Sequence, residues 1–134
     1  MKLFAASLVS LFLLASCTKT VTNVQQVDQA FSAIYTLNPA GWGTTDASTS
    51  FSTTLPIQEL DQVIQDNGGV IVYLSFDNGA TYEAIPEVFD GIAYGTFHST
   101  GVITIDLHAV DGSKITAPSG TILAKVVLID ATKL

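Results

Sequence analysis

Val102-Ile103-Thr104-Ile105-Asp106-Leu107-His108 alternates without a break. On an extended chain Ile103, Ile105 and Leu107 fall on one side, and Thr104, Asp106 and His108 on the other. That pattern is a strand with one dry face and one wet face. Thr121 to Ile129 repeats it: Ile122, Ala124, Val126 and Leu128 form one row, with Lys125 opposite.

Working outward, Phe31 to Leu37 places Phe31, Ala33, Tyr35 and Leu37 at period two. Ser48 to Leu55 alternates through Phe51, Thr53 and Leu55 in a Ser/Thr-rich setting, as an edge strand does. Val70 to Phe76 is almost wholly apolar and β-rich, which suits a central strand covered on both faces. Thr81 to Ile85 is short and ends at Pro86. Asn38-Pro39-Ala40-Gly41, Asp77-Asn78-Gly79, Asp111-Gly112 and Ser119-Gly120 punctuate these runs. Asn78-Gly79 favours a type I′ hairpin turn.

Pro56 to Asp66 breaks the rhythm. Leu60, Val63 and Ile64 have helical spacing, Thr54 is placed to cap, and Asn67-Gly68 is placed to stop the helix in a left-handed conformation. The expected fold is all-β: an antiparallel two-sheet sandwich of about seven strands, with one short helix near 56–66. A small barrel is the alternative. No Cys…Trp…Cys pattern marks an immunoglobulin domain.

The N-terminus reads differently. Lys2 precedes an uncharged run, Leu3 to Ala15, of 13 residues. A membrane-spanning helix needs about 20 apolar residues, so this run suits the core of a signal peptide. It ends in Leu14-Ala15-Ser16-Cys17, which resembles the bacterial lipobox. The small residues admit the backbone to the lipoprotein signal peptidase, and the Cys17 thiol accepts diacylglycerol. The competing reading is an ordinary secreted protein with a chance Cys. Cys17 is, however, the single Cys of the chain, and a lone thiol forms no internal disulfide in an oxidising compartment.

Residues 1–16 are therefore expected as signal, 17–23 as lipidated N-terminus and short tether, and 24–134 as one domain. Thr18 is not the Asp of inner-membrane retention. Residues 18–23 also lack the acidic cluster of surface export. The expected location is the outer membrane, facing the periplasm.

Composition narrows the partners. The chain is 48% hydrophobic and 13% charged, with five Lys, no Arg and twelve acids. It is long enough for a real core. It lacks the basic footprint that nucleic acid requires, and it lacks a polybasic hold on anionic lipid. Membrane attachment must come through the anchor.

The order of landmarks carries a family resemblance. Leu55-Pro56 leads to Ile64-Gln65-Asp66-Asn67-Gly68-Gly69-Val70-Ile71-Val72-Tyr73. Ile85-Pro86, the aromatic stretch Tyr94 to Phe97, Gly101-Val102-Ile103-Thr104-Ile105 and Lys125-Val126-Val127-Leu128-Ile129 follow. This resembles a group of small, uncharacterised lipoproteins of Bacteroidota, over most of the mature domain. In that group a Trp often precedes the Leu-Pro corresponding to Ile85-Pro86; here the neighbourhood holds Tyr82. The resemblance implies fold and location, and no activity.

Tests for chemistry find little. Cys17 is committed to lipid, and no Ser sits in Gly-x-Ser-x-Gly. His98 reads as a strand-end or loop residue that could pair with Ser99. His108 shares a face with Asp106 and Thr104, as a solvated strand face or a small proton-transfer or metal cluster. A tight zinc site needs three or four ligands. Asp77, Asp90 and Asp111 have oxygens suited to calcium but no EF-hand spacing. No cofactor and no metal is expected. Trp42, in Gly41-Trp42-Gly43, reads as a core residue or as a ring that stacks on a sugar. Tyr82 and Tyr94 are equally open as ligand contacts.

Two functions follow from these residues. One is a non-catalytic, lipid-anchored domain that contacts an envelope protein or glycan. The other is a small glycan hydrolase using carboxylates among Glu83, Glu87 and Asp90, which requires two of them about 5 to 10 Å apart in a cleft.

Overall fold

The computed structural model describes residues 30–131. The signal segment, Cys17 and the expected tether lie outside the described residues. In chain order the elements are β1 (Ala30–Leu37), β2 (Ser50–Pro56), α1 (Gln62–Asn67), β3 (Gly69–Ser75), β4 (Glu83–Ile85), β5 (Glu87–Phe89), β6 (Ile92–Ser99), β7 (Val102–Ala109) and β8 (Ile122–Ile129). A 3-10 turn occupies Pro39–Gly41.

All pairings are antiparallel. One sheet runs β1-β8-β3-β4 and the other β2-β7-β6-β5. This is an all-β sandwich. The 102–108 alternation forms β7, a central strand whose Ile103, Ile105 and Leu107 are buried. Opposite them, β8 turns Ile122, Ala124, Val126 and Leu128 inward. Val72 and Leu74 of β3, Leu55 of β2, and Ile57, Leu60 and Ile64 join the same core. Full burial of one such side chain contributes about 1.5–3 kcal/mol. β2 is an edge strand and β3 a central one, as the sequence implies.

Three local expectations are corrected. The helix spans Gln62–Asn67 only. Asp61, not Thr54, caps it, accepting a hydrogen bond from the Ile64 amide at 2.9 Å. Pro56 instead closes β2, because Thr54 and Leu55 continue the ladder against Thr104 and Ile103. Gly68 is extended (φ −91°), so its role is not left-handed freedom. A Cβ there would collide with the Ile129 carbonyl and crowd the Ile64 backbone. Glycine allows the helix end to lie against β8.

Strands β5 and β6 raise the count from about seven to eight. Asp90 and Gly91 both have positive φ (49° and 76°) and join β5 to β6 in a two-residue turn. Asn78 and Gly79 also have positive φ (58° and 91°). They sit, however, within a seven-residue loop between Ser75 and Glu83, not in a tight hairpin. Asp77 organises that loop, accepting from the Thr81 amide and hydroxyl at 2.9 and 2.7 Å.

Candidate functional site

The most built concavity lies at one end of the sandwich, where the sheets part. It is a groove of about 480 Å³ between Tyr94 and Leu107 of one sheet and Ile122 of the other, rimmed by Asp90, Ser119 and Thr121. Phe76 and Tyr94 line it, and Phe89 backs Phe76 from outside the lining. Phe76 stacks on Phe89 with centroids 5.8 Å apart, and meets Tyr94 edge-on at 5.4 Å. Each comes from a different segment: the loop after β3, β5 and β6. Register explains the convergence. Ile92 and Tyr94 are the inward residues at this end of β6, and Phe89 pairs with Ile92 across the hairpin. Phe89 is 52% exposed and Phe76 40% exposed, so the rings are open to a ligand. The Tyr94 hydroxyl titrates above its ordinary value, through burial and then the nearby Glu87 and Asp90 charges.

Trp42 is not part of this surface. It is 7% exposed and belongs to the core, with its indole N–H buried and unpartnered. It therefore presents no ring for a sugar to stack on. Tyr82 lies elsewhere too. Its ring and that of Tyr73 enclose the Lys125 ammonium, at 4.4 and 4.5 Å from the centroids, on the outer face of the first sheet.

The acids divide. Glu83 and Glu87 face inward from β4 and β5, on either side of the cis Ile85–Pro86 bond. Glu87 is pushed above the usual carboxyl range by burial, then by the Glu83 charge and by a hydrogen bond its protonated form gives Glu83. One of its oxygens is buried without a partner. Paired hydrolase carboxyls stand about 5 to 10 Å apart around a sugar, whereas Glu83 lies close enough to Glu87 for its charge to act on it. Asp90 sits at the hairpin tip, on the rim of the groove.

The pair has a consequence for stability. A carboxyl whose value is raised by folding favours the native state at low pH, and that contribution is lost as pH rises through the raised value. Glu87→Gln is therefore expected to raise the melting temperature at about pH 7 and to give no gain near pH 3. Thermal melts at both values check this. Asp77 acts with the opposite sign. Its loop hydrogen bonds hold it at about 2, so its contribution is present at neutral pH and lost as pH falls toward that value.

The histidines are separate. His98 Nδ1 donates to Gln65 Oε1 at 2.9 Å, tying β6 to α1. His108 stands on the outer face of the second sheet, 3.8 Å from Asp106. Ser50 lies directly across from His108, a juxtaposition hidden in the sequence. Ser50 donates its hydroxyl proton to Asp46 at 2.6 Å, so His108 is not its base. Asp46 also accepts from Thr44, the Thr49 amide and the Ser50 amide, which hold it well below the ordinary carboxylate range. Asp77, Asp90 and Asp111 stand in separate turns and do not converge on one point. Among the described residues no three His, Cys, Asp or Glu are placed to hold a metal ion. Nor, among them, is any helix long and apolar enough to cross a membrane.

Alternation alone did not reveal the groove, because its rings come from three segments. Asp90-Gly91 was the available signal: a two-residue turn of this kind aligns the strands on both sides. Comparison with family models, with curated proteins and with solved structures finds no match for this chain.

Proposed function

We propose that the protein is a lipid-anchored, non-catalytic binding domain of the cell envelope. Cys17 holds it to the outer membrane on the periplasmic side, and the aromatic groove takes an envelope glycan. The observation that carries this reading is the Phe76–Phe89–Tyr94 cluster opening on a groove edged by hydroxyls and Asp90. Sugars offer apolar C–H faces to aromatic rings and hydroxyls to polar rims. The groove's lining is more polar than apolar, with Thr116, Ser119, Thr121 and Asp90 offering hydrogen-bonding groups beside the rings, as a hydroxyl-rich ligand requires. The lipobox and the resemblance to Bacteroidota lipoproteins support the location.

The second reading is a hydrolase. Glu87, with its raised value, has the character of a general acid. Its contact with Glu83 gives neither the separation for a nucleophile nor that for an intervening water. A glycan array followed by a reducing-sugar assay separates the two. Retention of a glycan without sugar release is expected. Phe89→Ala should weaken that binding about tenfold, equivalent to about 1.4 kcal/mol. Sugar release abolished by Glu87→Gln would establish the hydrolase, and no retained glycan would remove the groove's assignment.

A further inference from the structure

The outer face of the β1-β8-β3-β4 sheet differs from that of the other sheet in its charge. The strand registers place Ala30, Ser32, Ile34 and Thr36 of β1 on it, with Leu123, Lys125, Val127 and Ile129 of β8. Ile71 and Tyr73 of β3 and Ala84 of β4 complete it. None of these residues is acidic, in a chain with twelve acids and a net charge of −7. The outer face of the other sheet carries Ser50, Ser52, Thr54, Thr104, Asp106 and His108, with Val88 and Phe97 exposed beside them, so the two faces differ in charge and not in apolar exposure. Here Ile34 is 57% and Ile129 36% exposed. The one charge is Lys125, its ammonium between the rings of Tyr73 and Tyr82.

We infer that this face lies against the headgroup region of the phospholipid bilayer, an inference that rests on the anchor at Cys17. The row Ser32–Val127–Ile71 and the row Ala30–Ile129–Gly69 are its uncharged end. Ala30, in the second of these rows, is the described residue nearest Cys17 in sequence. Only twelve residues lie between Cys17 and Ala30, a reach of at most about 45 Å. β1, the strand that follows Cys17 in the chain, is the edge strand of the one acid-free outer sheet face. Charge complementarity points the same way. Anionic phosphate repels the acidic remainder of the molecule and attracts Lys125. Tyrosine rings and a lysine with its apolar stem suit the boundary between acyl chains and headgroups. A second copy is a poorer occupant, because a two-fold contact centred on this face would set Lys125 against Lys125.

The test uses the full chain, recovered from cells fed a fatty-acid analogue and reconstituted into vesicles of phosphatidylethanolamine and phosphatidylglycerol. Ser32→Cys places an environment-sensitive dye on this face, and Ser52→Cys places it on the opposite one. Cys17, once a thioether, takes no dye. Quenching by a doxyl-labelled phospholipid should be severalfold stronger at position 32. Ile34→Asp with Lys125→Glu should erase the difference while fatty-acid label stays on Cys17 and Trp42 emission reports a folded core. Equal quenching at the two positions with Cys17 labelled overturns the orientation and leaves the anchor standing. Absence of label on Cys17 removes the anchor, and this orientation with it.

Discussion

Cys17→Ala is expected to shift the protein from the membrane pellet to the soluble fraction, with little left behind. The size of the effect follows from chain count. Each buried methylene contributes about 0.8 kcal/mol, so one acyl chain holds weakly, while two or three hold almost permanently. Cys17, the single Cys of the chain, is the proposed attachment point of those chains. The outer face of the β1-β8-β3-β4 sheet carries a single cation and a modest apolar surface, too little to retain an unanchored domain in the pellet. Fractionation followed by immunoblot reads the outcome. A mutant that stays quantitatively in the pellet would mean that another element holds the membrane.

The second large effect lies in the core. Ile105 is wholly buried at the centre of β7. It pairs with Thr53 of β2 and Thr96 of β6, with its side chain directed into the sandwich. Ile105→Ala removes three carbons from a site that neighbouring strands hold open, at a cost of about 2–5 kcal/mol. For a domain of this size each kcal/mol lowers the melting temperature by about 4–8 °C. The expected loss is therefore on the order of 10–30 °C. Phe97→Ala is the control: Phe97 lies in β6 but points outward and is 60% exposed. Its change should stay within about 0.5 kcal/mol. Trp42, the single Trp and a core residue, supplies the fluorescence signal for both melts.

Much of the fold was legible from period two. Ile103, Ile105 and Leu107, and the row from Ile122 to Leu128, identify their buried faces because a sheet with one dry side demands strict alternation. The 56–66 segment misled for a definable reason. Pro56 is as acceptable at a strand end as at a helix start, and Asp61 offered a better cap five residues on. β5 and β6 escaped because Glu87 faces inward and Thr96, an inward residue of β6, is polar. That blurs alternation at the edge of the sheet. The aromatic groove and the Lys125 cage depend on register across strands, which a single strand's pattern does not contain. Trp42 between two glycines was ambiguous until its depth was seen.

Anchoring is the claim on which location, orientation and reach depend. Intact-mass and N-terminal peptide mass spectrometry of the protein extracted from envelopes tests it most directly. The expected species begins at Cys17 and carries a diacylglyceryl thioether. A chain that retains residues 1–16, or one with an unmodified Cys17 thiol, would contradict it.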